Sequence, residues 1–173
     1  MTAIVGLEHG GRVYLAADSA VSWGDDIVHV AREPKVWACY PSGDVSSMVM
    51  GVAGASSACE ALAGGEWLPE YQAGNDTAYV VGQLLPAAQQ VADEFDMLLG
   101  FNGTLWALCG DGTAHTSAQG MMAIGSGGAM ALGALLALFH VRPDRPTHCV
   151  HQALAVIEPY SPGVLPPFTV VTS

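Results

Sequence analysis

The chain opens on two short apolar runs. Ala3-Ile4-Val5-Gly6-Leu7 is β-rich, His9-Gly10-Gly11 interrupts it, and Arg12-Val13-Tyr14-Leu15-Ala16-Ala17 resumes it. Two such runs around a Gly-Gly turn predict a β-hairpin that starts at the second residue. Further strands are expected over 26–30, 35–40 and 47–52, with Pro41-Ser42-Gly43-Asp44 as the turn between the last two. From Ala55 the composition turns Ala-rich and helical, until Gly64-Gly65 and Pro69 end it. Between 77 and 99 the apolar positions Val80, Leu84, Leu85, Ala88, Val91, Ala92 and Phe95 recur at helical spacing, which predicts one long helix broken at Phe101-Asn102-Gly103.

Thr104 to Cys109, Gly110-Asp111-Gly112 and Thr113 to Ser117 predict a second hairpin, with a short strand over 121–124 after it. Gly125-Ser126-Gly127-Gly128 leads into a helix over 129–140, a Pro-rich loop separates it from a helix over 147–157, and a strand over 168–172 closes the chain. Strands, two helices, strands, two helices and a strand give an α+β fold of stacked layers, with helix pairs on the outer faces of antiparallel sheets. The 173 residues suit one domain over 1–173.

Composition narrows the function. The net charge is −11 with only five Lys and Arg, so no basic patch exists to neutralise phosphates and nucleic acid is not expected as a partner. Cys39, Cys59, Cys109 and Cys149 are dispersed and form no CxxC pair, which argues for reduced packing residues over a zinc ribbon or redox dithiol. No basic n-region precedes an apolar run, and no apolar run nears the ~18 residues of a membrane helix. Neither a leader nor a membrane partner is expected, and the cytoplasm is the expected compartment. With 51% hydrophobic and 12% charged residues, part of the apolar surface is expected between subunits.

Five segments carry a family resemblance: Thr2-Ala3-Ile4-Val5-Gly6, Gly11 through Ala17 with Asp18-Ser19, Lys35-Val36, Gly51-Val52-Ala53-Gly54, and Ala123-Ile124-Gly125-Ser126-Gly127-Gly128. In this order and spacing the chain resembles the proteasome β-subunits and their bacterial relatives, among the N-terminal-nucleophile hydrolases. The resemblance implies a four-layer αββα sandwich and a threonine endopeptidase whose nucleophile is Thr2 once Met1 is removed. It further implies a homo-oligomeric ring, hexameric or heptameric with stacking left open, acting on polypeptide substrates with an ATPase unfoldase as a candidate partner.

The chemistry is consistent with these residues. A Thr hydroxyl needs a base within hydrogen-bond reach, and a free α-amine on the same residue supplies one, with an ordinary pKa of about 7.7–8.0. A buried cation nearby lowers that pKa by like-charge repulsion, and Lys35 is the candidate. The resemblance gives Asp18 the task of pairing with Lys35. It gives Gly54, with Gly51 as fallback, the oxyanion-binding N–H. Ser126 falls to the neighbourhood of the nucleophile's amine. Glu158 and Ser161 match an acid followed by a serine three positions later, although many relatives carry Asp in place of the first. Val21, Val52 and Ser56 are the implied substrate pocket.

Other readings weigh against this one. Thr2 alone is also just a small residue that permits Met removal, and Asp18 with Lys35 is also a plain ion pair. The Gly-Ser-Gly-Gly turn lacks the GKS/T ending of a phosphate loop. His148 and His151, three apart on an expected helix, lack a third ligand, so no cofactor or metal is expected. A catalytically silent structural or assembly subunit is the alternative, favoured if Met1 is retained, because the amine would then be an amide. Non-peptidase amidohydrolases share the logic but more often begin with Cys or Ser.

Overall fold

The N-terminal hairpin forms the centre of one sheet. β1 (Ile4–His9) and β2 (Arg12–Ala17) pair antiparallel across Gly10-Gly11, with Val5 opposite Ala16 and His9 opposite Arg12. Both turn glycines have positive φ, which a side chain would resist. In the computed structural model, which describes residues 2–23, 27–42 and 48–173, this hairpin is flanked by β10 (Met121–Ile124) and β11 (Thr169–Thr172) in the order β10-β1-β2-β11. Met1, part of the 41–44 turn, and the first residues of the expected strands over 26–30 and 47–52 lie outside the described residues.

A second sheet runs β5 (Val36–Cys39), β6 (Met48–Gly54), β7 (Phe95–Phe101), β8 (Thr104–Cys109) and β9 (Ala114–Thr116), each antiparallel to the next. A small ribbon of β3 (Ala20–Trp23) and β4 (Ile27–Val30) completes the strands, and β3 was not anticipated from the sequence. The helices are α1 (Ser56–Ala63), α2 (Asp76–Tyr79) continuing through a π turn into α3 (Leu85–Val91), α4 (Gly128–Val141) and α5 (Pro146–Ile157).

Alternation along β1 assigns the layers. Ala3, Val5 and Leu7 join Ala131 and Leu135 of α4 and Val150 and Leu154 of α5 in one buried cluster. Ile4 points the other way, to Val36, Val49, Leu98 and Leu105 of the second sheet. The far face of that sheet, with Met50, Met97, Leu99 and Phe101, packs on Leu62, Val80, Leu84 and Ala88. The result is an αββα sandwich with three apolar interlayers. Of the described helices, none is long and apolar enough to cross a membrane.

The long helix expected over 77–99 is corrected. It stops at Val91, and Phe95–Phe101 is the central strand β7, hydrogen-bonded to both β6 and β8. Both faces of β7 are covered, Phe95, Met97, Leu99 and Phe101 by helices and Leu98 by the first sheet, so its sequence is apolar almost throughout. A nearly continuous apolar run extends a helical pattern as readily as it makes a buried strand.

Candidate active site

Asp18 follows β2 at the end of the first sheet, with its side chain fully buried. Each of its oxygens is engaged. Oδ1 accepts the Ala3 N–H at 2.8 Å and the Lys35 ammonium at 2.9 Å, and Oδ2 accepts the Ala20 N–H at 2.7 Å. The Asp18 N–H in turn donates to the Ala3 carbonyl at 3.2 Å. Asp18 is therefore fixed to the residue that follows Thr2.

Lys35 sits one residue ahead of β5, and its carbonyl accepts the Val52 N–H at 3.2 Å, which ties it to β6. Its side chain is 10% exposed, and Nζ lies 3.0 Å from Thr2 Oγ1 while bonded to Asp18. Burial holds the Lys35 ammonium below its ordinary pKa, with the Asp18 carboxylate pulling the other way. The lysine thus couples the hydroxyl of Thr2 to a buried anion.

The turn 125–128 holds Thr2 from the other side. The Thr2 carbonyl accepts the Gly127 N–H at 3.0 Å, and the Thr2 N–H lies 3.4 Å from Ser126 Oγ. Gly125 has φ +83, and a Cβ there would run into the Thr2 carbonyl. Only glycine lets the turn approach this closely. Thr2, Asp18, Lys35 and Ser126, separated by up to 124 positions, are brought together.

Solved structures with this arrangement of layers cover nearly the whole chain. Thiobacillus denitrificans BPH in complex with epoxomicin superposes with a TM-score of 0.79 at 17% identity, over 99% of this chain and 98% of that one. Eukaryotic HslV from Trypanosoma brucei gives 0.72 at 23% identity, over 99% and 98%. Anbu, the ancestral beta-subunit, from Yersinia bercovieri gives 0.77 at 14% identity, over 99% and 81%. The chain has the proteasome-like fold of the N-terminal-nucleophile hydrolases. A scan against protein families and a search of curated proteins find no match.

Within this proteasome-like sandwich the remaining expected residues fall in different places. Gly54 ends β6, two residues past the Val52 that bonds Lys35, and has φ +151. A Cβ on it would lie 2.9 Å from the Glu94 carbonyl, so packing alone already requires glycine there. Gly51, the fallback, is corrected: it is buried mid-strand opposite Val36, and a Cβ would meet Val36 and Ile4 in the layer between the sheets. Of the pocket residues, Val21 is half-buried on β3 and Ser56 is exposed at the start of α1, but Val52 is 1% exposed and packs into the core beneath α1–α3. Val52 is core, not an open pocket wall.

Glu158 and Ser161 flank a single 3₁₀ turn after α5, joined by Ser161 N–H to the Glu158 carbonyl at 3.3 Å. Ser161 Oγ lies 3.6 Å from where a Gly127 Cβ would stand, so Ser161 neighbours the turn that holds Thr2. Among the described residues the Glu158 carboxylate makes no hydrogen bond or ion pair, so it is not drawn into the cluster.

Sequence reasoning missed the backbone N–H groups of Ala3, Ala20 and Gly127, which carry no side-chain signal. Cys59 on α1, expected as a packing residue, packs against the core beneath the helices. Burial pushes the Cys59 thiol up, and the nearby Lys35 pulls it back down. A cleft of about 490 Å³ opens beside Gly54, lined also by Asp93, Glu94, Asp96 and Asp111. Its lining includes Gly54 but none of Thr2, Asp18 or Lys35.

Proposed function

We propose that the chain is a threonine-type endopeptidase with Thr2 as its nucleophile, working as a cytoplasmic, single-domain subunit of a homo-oligomeric ring fed by an ATPase unfoldase. The observation that carries this reading is the Lys35 ammonium, placed 3.0 Å from Thr2 Oγ1 and 2.9 Å from the buried Asp18. A structural ion pair has no need to include the hydroxyl of the second residue.

With Met1 removed, the Thr2 amine takes the proton from Oγ1 as the oxygen bonds to the scissile carbonyl carbon. The tetrahedral oxyanion is bound by a backbone N–H, for which Gly54 is the proposed donor, a contact typically worth about 10²–10³ in rate. The proton then passes to the departing amine as the C–N bond breaks, leaving an acyl ester on Thr2. Water, deprotonated by the same amine, attacks the ester and regenerates the hydroxyl. Lys35 keeps the amine in its basic form by like-charge repulsion and hydrogen-bonds the developing alkoxide, while Asp18 fixes Lys35. Ser126 orients the amine.

Intact mass spectrometry tests the reading on protein with its native N-terminus, with and without epoxomicin. The expected result is loss of Met1 and one adduct per chain, absent in Thr2→Ala. A chain that keeps Met1 and takes no adduct in any assembly state would favour the catalytically silent subunit.

A further inference from the structure

We infer that Ser19 is a positioning residue for the Thr2 site: it holds segment 165–167 in place and, through Val164, keeps the turn 125–128 seated on Thr2. The inference rests on the reading of Thr2 as nucleophile. Ser19 is 4% exposed, and all three of its polar groups are used. Its N–H donates to the Leu165 carbonyl at 2.9 Å, its hydroxyl donates to the Pro167 carbonyl, and its carbonyl accepts the Ala31 N–H at 2.7 Å.

Pro166 and Pro167 have no N–H, so this stretch can only accept. Regular pairing of β11 with β2 begins later, with Thr169 opposite Ala17. Ser19 supplies two donors where the proline stretch has none, anchoring it two residues beyond that first pair. The next residue upstream, Val164, is 1% exposed, and its N–H donates to the Ser161 carbonyl at 2.9 Å. Gly127 packs directly on it: a Cβ on Gly127 would sit 3.0 Å from Val164 Cγ2. Gly127 is also the donor to the Thr2 carbonyl.

A physical path therefore runs from the Ser19 hydroxyl through Pro167, Leu165 and Val164 to Gly127 and Thr2. Adjacent residues hold the nucleophile from two sides. Asp18 does so through Ala3 and Lys35, and Ser19 through the proline strap. Removing the hydroxyl takes away the Pro167 anchor and leaves the strap held to Ser19 by the N–H bond to Leu165 alone, which loosens it and lets the glycine turn move, while Asp18 and Lys35 stay in place. Displacements of about 1 Å at a reacting centre cost up to roughly 10²-fold in rate, so a loss in the chemical step is expected without a matching loss in binding.

The test uses the full chain with a free Thr2 amine, as parent, Ser19→Ala, Ser19→Thr and Val164→Ala. Two readouts are taken: amide hydrogen exchange across 121–130, and the rate of epoxomicin adduct formation resolved into kinact and KI. In Ser19→Ala the expected outcome is roughly tenfold or faster exchange at the turn with β6–β8 still protected, and kinact lower by roughly tenfold with KI little changed. Ser19→Thr, which keeps the hydroxyl, restores both.

Unchanged exchange at the turn in Ser19→Ala overturns the inference, as does a loss confined to KI. If the parent takes no adduct, the peptidase reading fails alone, and the exchange comparison still decides whether Ser19 seats the turn. If Ser19→Ala does not fold, Val164→Ala cuts the same path further along, and unchanged exchange there is equally decisive against it.

Discussion

Asp18→Asn is nearly isosteric, yet the surroundings of Asp18 leave no place for an amide. Oδ1 faces two donors, the Ala3 N–H and the Lys35 ammonium, and Oδ2 faces the Ala20 N–H. Whichever way the Asn side chain is turned, its NH₂ points at another donor. The better choice keeps the carbonyl oxygen on Ala3 and Lys35, sacrifices the Ala20 bond and leaves Lys35 without its anion.

Removing one partner of a buried pair costs about 3–5 kcal/mol, because the remaining charge stays buried and uncompensated. At about 2–4 °C per kcal/mol for a chain of this size, the melting temperature should fall by roughly 6–20 °C. Calorimetry or circular dichroism at neutral pH measures it, at matched protein concentration, since assembly shifts the midpoint by mass action. Lys35 should also lose protons more readily in the variant, because burial continues to oppose its charge and the opposing Asp18 effect is gone. A variant melting within about 2 °C of the parent would refute the claim that Asp18 is required as an anion.

Gly125→Ala must adopt φ +83 and place its Cβ against the Thr2 carbonyl. The backbone alone costs about 1–2 kcal/mol, and adduct formation at Thr2 should slow by roughly tenfold or more, read by timed mass spectrometry. Lys35 contributes to pH dependence with a definite sign. Its folded pKa lies below 10.5, so between that lowered value and 10.5 the unfolded chain binds more protons and stability gains a contribution rising with pH. Urea unfolding of parent and Lys35→Met should give a stability difference, parent minus variant, that increases with pH across that window; a decreasing difference counts against a depressed Lys35. Tyr71 donates to Asp76 at 2.6 Å, and Asn102 donates to both, binding the loop before α2 to the β7–β8 turn. Tyr71→Phe and Asn102→Ala should each lower the urea midpoint, and the double variant should lose less than the two losses added, because both act through Asp76.

Local chemistry was enough to determine the hairpin at Gly10-Gly11, the β8–β9 hairpin, the two C-terminal helices and the order of layers. Turn glycines and short apolar runs act over a few residues, and those signals survive without tertiary context. Thr2, Asp18, Lys35 and Ser126 were also legible, as residue types in a familiar order. Their meeting was not, because distances of 3.0 and 2.9 Å at Lys35 depend on how two sheets stack. Tertiary structure alone decided the fate of 95–101, where an apolar run suits a helix until β6 and β8 offer it hydrogen bonds on both edges. It also placed Val52 and Gly51 inside the core, since strand neighbours alternate between faces and only the packed sheets say which face is closed. The role of Ser19 belongs to the same class: its partners include a carbonyl 148 positions away, in a proline stretch with no donors of its own.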